Sequence, residues 1–124
     1  MLKASLLFFC SLLCVSCQTI YAAQSNLKKH PDCTGSERWP TNIAIVHLKN
    51  SGLTSNELLD LSKTKTVRLA SQKIEENLFR QVHLITFTEK SGKTIQAITV
   101  NDASHEECSM SEGAVFVVNT TLGK

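Results

Sequence analysis

The chain has 124 residues, the length of a single domain, of which 42% are hydrophobic and 19% are charged. Thirteen Lys and Arg against eleven Asp and Glu give a net charge of +2. Because the basic residues form no stripe with interleaved aromatic side chains, we expect no nucleic-acid partner.

Residues 1–23 have the organisation of a secretory signal peptide. Lys3 is their only charged residue, and an apolar run over residues 4–15 follows it. This run is too short to cross a bilayer as a permanent helix. Small residues predict cleavage near Ala22 or Ala23. The sequence therefore predicts a protein that is periplasmic or secreted.

Export changes the cysteine count. Cleavage removes three of the five cysteines and leaves Cys33 and Cys108, which predicts a Cys33–Cys108 disulfide in an oxidising compartment. In an alternative processing route, the segment that ends at Cys17 resembles a lipobox. Acyl chains on Cys17 would then hold the protein at a membrane surface.

The exported chain divides into a lead-in and one domain. Residues 24–32 are polar and end near a proline, so we expect a flexible lead-in before a single domain at residues 33–124. In that domain, residues 41–50 fit helical and strand periods equally well. Pro40 before them and Gly52 after them favour a helix.

A second short helix and a sheet are predicted to follow. Thr54 and Glu57 have the spacing of a capping box, which predicts a helix through Leu61. From residue 64 onward, apolar and polar residues nearly alternate, as in strands. We place turns at residues 75–77 and 90–93, paired strands at 82–89 and 94–100, a polar loop at 101–113 and a last strand at 115–118. The predicted fold class is α+β, with about four mostly antiparallel strands and one or two N-terminal helices packed on one face.

A histidine stands three residues before each remaining cysteine. His30 and His105 could join Cys33 and Cys108 in a tetrahedral zinc site, which is the alternative to the disulfide, as are free thiols. Export favours the disulfide. No His stands one helical turn after His105, so the metalloprotease pattern is absent, and we assign no metal and no cofactor.

The candidate partner-binding residues are acidic. Asp102, Glu106, Glu107 and Glu112 lie in or beside the predicted loop. They form either a solvated loop or a docking patch that steers a basic protein partner.

Catalytic residues are not evident. No serine lies in a nucleophile elbow, and no glycine-rich phosphate loop occurs, so no catalytic residue is assigned. His47 is expected to be a packed or capping residue of the helix. His83 alternates with Val82 and Leu84, which predicts a surface or cross-strand position, and Trp39 is expected to pack over the disulfide.

Several segments carry a family resemblance. Residues 38–41, 86–93 and 99–104, together with 107–109, resemble a family of small exported bacterial proteins with no activity that we can name. In size and in the lack of a catalytic motif, the chain also resembles immunity proteins of interbacterial toxin systems of the contact-dependent inhibition type. That resemblance implies a protein that occludes a toxin, and it transfers no residue roles. With a signal peptide, it implies a toxin that acts in the envelope.

We therefore expect an exported binding protein, an immunity or inhibitor protein that neutralises a toxin or lytic enzyme by stoichiometric binding through a sheet edge or the acidic loop. One alternative is a small envelope hydrolase or metal-dependent enzyme that uses His47, His83 or His105. Another is a structural lipoprotein of the envelope, and membrane contact is expected only if Cys17 is lipidated.

Overall fold

The computed structural model describes residues 29–118. The predicted signal peptide, Cys17 and most of the predicted lead-in lie outside the described residues. The described part has one α-helix and four strands, so the α+β prediction is confirmed with one helix. The elements are α1 (Trp39–Asn50), β1 (Lys65–Glu75), β2 (Leu78–Thr88), β3 (Thr94–Ala103) and β4 (Ala114–Val118), with a 3-10 turn at Leu61–Lys63 between α1 and β1.

Helix α1 forms where Pro40 and Gly52 predicted it. Pro40 lies in its first turn, where a missing N–H costs no hydrogen bond. Lys49 lies in its last turn, where its positive charge interacts favourably with the helix dipole. Gly52 follows with a φ of 69°, in the left-handed region that glycine enters without strain.

The second predicted helix is wrong. Residues 54–60 form turns, and Leu59 makes an isolated bridge to Glu89. The Thr54 hydroxyl donates to Glu89 Oε1 at 3.0 Å, and both residues are buried. A tertiary contact has taken the hydroxyl that a capping box would need.

The strands form one sheet in the order β1-β2-β3-β4, with each strand antiparallel to the next. The predicted turn at 75–77 is confirmed, since β1 ends at Glu75 and β2 begins at Leu78. The predicted turn at 90–93 is also confirmed, with the Glu89 N–H donating to Lys93 O at 2.8 Å.

The predicted loop begins too early. Residues 101–103 belong to β3, and Asn101 and Asp102 pair with Gln81 and Arg80 of β2. Their polar side chains suggested a loop. In the sheet, the Asn101 amide donates to Cys108 O, and Asp102 pairs with Arg80.

Helix α1 and the sheet share a buried apolar cluster. We call the face of the sheet that contributes to this cluster the helix face, and its opposite the open face. Ala44 and Leu48 of α1 contribute to the cluster, and Leu59 completes it from the connecting segment. The sheet contributes Ile85, Phe87, Ile95 and Ala97.

Candidate functional site

The disulfide fixes the two ends of the domain to each other. Cys33 and Cys108 are bonded, with their Cα atoms 5.8 Å apart. The disulfide prediction is confirmed, and neither sulfur is a thiolate ligand for zinc. His30 and His105 both contact the Phe79 ring instead, with ring centroids 4.8 and 5.1 Å from it.

Residues 29–34, which we call the N-terminal segment, lie against the helix face of the sheet. Pro31 is buried, and its carbonyl oxygen accepts hydrogen bonds from Arg68 Nη1 at 2.5 Å and Gln81 Nε2 at 2.8 Å. His30 Nδ1 lies 2.8 Å from the Ser71 hydroxyl. The end of the predicted lead-in therefore contacts the sheet before the disulfide is reached.

The acidic candidates lie at one end of the sheet, and three of them have partners. Asp102 accepts two hydrogen bonds from Arg80, at 2.9 and 3.1 Å. Glu106 accepts from the Asn77 amide at 2.7 Å, and this bond is the largest cause that lowers its pKa. Glu107 accepts from the Ser109 hydroxyl. Glu112 is exposed in the same loop.

This acidic loop is also tied to α1. Trp39 Nε1 donates to Ser111 O at 3.1 Å, and the Ser104 N–H donates to Glu107 O at 2.7 Å. Hydrogen bonds to α1 and within the loop therefore hold the backbone that carries these carboxylates.

The three candidate histidines lie in different surroundings. His47 is exposed on α1, His83 is buried on the helix face of β2, and His105 is exposed beside Phe79. Within residues 29–118, no group of three or more His, Cys, Asp or Glu side chains is arranged to hold a metal ion. The structure therefore does not assemble the histidines of the hydrolase alternative into one site.

The expected surface or cross-strand role of His83 is half right. His83 does pair across strands, with Arg68 of β1 and Thr99 of β3, but it is 0% exposed. Its burial, and secondarily the positive charge of Arg68, lower its pKa from 6.5 to about 4. The buried imidazole of His83 is therefore neutral at neutral pH.

His83 belongs to a set of four buried polar side chains, the buried polar quartet, on the helix face. Its members form two cross-strand pairs, Gln81 with Asn101 and His83 with Thr99. Gln81 Oε1 and Thr99 Oγ1 have no hydrogen-bond partner among the described residues, whereas Asn101 interacts with His83 and opposes the lowering of its pKa. This half of the helix face therefore buries polar side chains, whereas the half beneath α1 buries apolar ones.

The open face has the opposite character. Two neighbouring cross-strand rows on it are apolar on all four strands, and we call these eight residues the apolar band. The first row comprises Val67, Leu84, Ile98 and Phe116, and the second comprises Ala70, Val82, Val100 and Ala114.

The apolar band is exposed at its ends and bordered by polar rows. Val67 on β1 is 55% exposed, and Phe116 on β4 is 57% exposed. The one α-helix of residues 29–118 lies on the other face. The bordering rows comprise Lys65, Thr86, Gln96 and Val118 on one side, and Gln72, Arg80 and Asp102 on the other.

The apolar band was not predicted from the sequence, because a surface position for His83 places Val82 and Leu84 on the buried face of β2. The signal that could have found it is the polar pair at 81 and 83 facing a second polar pair at 99 and 101. Two such pairs on adjoining strands place the apolar residues of both strands on one common face.

Comparisons with protein-family models, curated proteins and solved structures find no match for this chain. No helix among residues 29–118 is long and apolar enough to cross a membrane. The function of this chain is therefore inferred from its own surface, chiefly from the apolar band.

Proposed function

We propose that this protein is an exported binding protein, an immunity or inhibitor protein that neutralises a toxin or lytic enzyme by stoichiometric binding. The observation that carries the proposal is the apolar band on the open face. Exposed contiguous apolar patches with a polar border are typical of protein interaction sites.

The open face has an apolar centre with polar residues on either side. Neighbouring strands lie about 4.8 Å apart and alternate residues about 6.7 Å apart. The band therefore extends roughly 14 Å across the strands and 7 Å along them, and the polar rows add to both sides. An apolar centre with a hydrogen-bonding rim is the usual anatomy of a specific interface.

The acidic residues add an electrostatic component. Asp102 lies in one bordering row, and Glu106, Glu107 and Glu112 lie on the adjoining loop. Carboxylates beside an apolar contact surface would attract a partner with basic residues around its own contact site, which raises the association rate more than the affinity.

The Cys33–Cys108 disulfide supports the exported setting, because such bonds persist in oxidising compartments. The alternative of a small envelope hydrolase or metal-dependent enzyme that uses His47, His83 or His105 stays a prediction.

The proposal is tested by isolating a binding partner and then titrating it with the purified protein. The full chain is expressed, purified from the periplasm of the host and used to retain a protein from envelope extract of its own source cells. The retained protein is purified and titrated by calorimetry. We expect a fixed stoichiometry, no chemical change in either protein and loss of the partner's toxic or lytic activity.

Two variants of matched chemistry locate the contact. Val67→Lys places a charge in the apolar band, whereas Val46→Lys places one at an equally apolar residue of α1 that is 51% exposed. We expect Val67→Lys to weaken binding by about tenfold or more, since a charge within the apolar part of an interface is poorly tolerated, and Val46→Lys to bind as the wild type does. Failure to retain any partner, or equal binding by both variants, would contradict the proposal.

A further inference from the structure

Strand β4 is an edge strand of the sheet that residues 29–118 form. It is last in the sheet order and pairs only with β3. Outside that pairing, its backbone makes no hydrogen bond to other backbone groups of residues 29–118. Its five residues include no charge and no proline, and its pairing with β3 contains no irregularity.

The other edge strand, β1, has the features that discourage strand pairing. It carries Lys65, Arg68 and Lys73, and its register with β2 is interrupted twice. Charged residues and bulges are the usual means of protecting an edge. The contrast makes β4 the edge that is open to another strand.

We propose that β4 pairs antiparallel with β4 of a second copy of this chain, about a two-fold axis at Phe116. In this register Phe116 faces its counterpart in the other copy. Ala114 of each copy faces residue 118 of the other, and Val115 faces residue 117. Every cross-strand pair then joins two apolar side chains, a type of pair that stabilises a sheet.

The choice of a second copy follows from the composition of β4. A strand that pairs with itself places any charge opposite or near the same charge, which is destabilising. Because β4 is uncharged throughout, it is free of this penalty in every self-pairing register. Val117 and Val118 are 40% and 39% exposed, so a neighbouring strand would cover apolar surface on both faces of the sheet.

The helices leave room for this arrangement. In the paired sheet the two β3 strands are separated by three strand spacings, about 14 Å, and α1 packs mainly over β3. A helix with its side chains is about 10–12 Å wide, so the two helices fit side by side. The row of the apolar band that contains Phe116 then continues across eight strands.

A contact of five residues per strand lies at the small end of protein interfaces, so the association is weak and depends on concentration. Sedimentation equilibrium of the exported, purified protein is measured from low micromolar to millimolar concentration, without any other partner. We expect the average mass to rise from that of a monomer toward that of a dimer. A monomer at every concentration would overturn the proposal and would leave the proposed partner binding unaffected.

Two variants on the same row distinguish strand pairing from stacking of the open faces. Phe116→Lys sets two lysines opposite each other at the axis and should raise the dimer dissociation constant by about tenfold or more. Val67→Lys, at the far edge of the same row, should leave it unchanged. If both variants weaken the dimer equally, the open faces stack and the proposal is wrong.

A cross-link supplies a readout that does not depend on tolerance of a lysine. Directly opposed residues of antiparallel strands have Cα atoms about 4.5–5.5 Å apart, within the range of a disulfide. Under mild oxidation, Phe116→Cys should form a covalent dimer and Val67→Cys should stay monomeric on a non-reducing gel. Equal dimer formation by the two variants would refute the proposed axis.

Discussion

Neutral, buried His83 should make the stability of the fold depend on pH between about 4 and 6.5. The side chain is 0% exposed, and its pKa is lowered from 6.5 to about 4. In the unfolded chain the imidazole regains its ordinary pKa. The unfolded state therefore binds a proton between these two pH values, whereas the folded state does not.

The sign and size follow from proton linkage. The contribution of His83 is fully present above pH 6.5 and is lost as the pH falls toward 4. Each pH unit within this window is worth about 1.4 kcal/mol. The free energy of unfolding should therefore fall by about 2 kcal/mol between pH 6.5 and pH 5 through this residue.

Urea unfolding at pH 7 and pH 5 measures this loss. His83→Gln removes the titrating group, so its unfolding free energy should fall by about 2 kcal/mol less over this interval than that of the wild type. His47→Gln, at an exposed histidine, serves as the control and should keep the wild-type pH dependence. His30, whose pKa is also lowered, chiefly by burial, is present in all three proteins and contributes equally to each. If His83→Gln keeps the full wild-type loss, the histidine is not held neutral as argued.

Two further predictions concern the Cys33–Cys108 disulfide and the packing around Gly113. Replacing both Cys33 and Cys108 by alanine opens a loop with a sequence separation of 75. The free energy of unfolding, measured in urea, should then fall by about 4 kcal/mol. A loss below about 1 kcal/mol would contradict the chain-entropy account. Gly113→Ala should destabilise more than Gly52→Ala in thermal unfolding. Both glycines have positive φ, but only at Gly113 would the new Cβ lie 2.7 Å from Ile43 Cδ1. Equal losses would show that the contact relaxes freely.

Local signals predicted the elements that local chemistry controls. Pro40 and Gly52 located α1, and the turn residues at 90–93 located the hairpin between β2 and β3. The second helix failed because Thr54 bonds to Glu89, a residue 35 positions away, instead of capping its own turn. A contact at that separation is not encoded in the residues around Thr54.

Which face of β2 is buried could not be predicted from the sequence of β2 alone. Both of its faces carry large apolar side chains, with Phe87 on one and Leu84 on the other. Gln81 is held inside by a hydrogen bond to the carbonyl oxygen of Pro31, 50 residues earlier. The candidate surface follows from this phase, which the sequence indicates only when β2 is compared with the polar pair at residues 99 and 101 of β3.

The distribution of side chains along β2 and β3 bears on why the open face is apolar. Beneath α1, the sheet follows the usual rule, with Ile85 and Phe87 inside. Closer to the disulfide, the buried polar quartet lies inside while Val82 and Leu84 are half-buried on the open face. Burial of polar side chains gains less free energy than burial of apolar ones, so this half of the sheet gains less from the hydrophobic effect than the half beneath α1. In the proposed complex, a partner that covers the open face would also bury the outward apolar side chains, and that burial would favour binding.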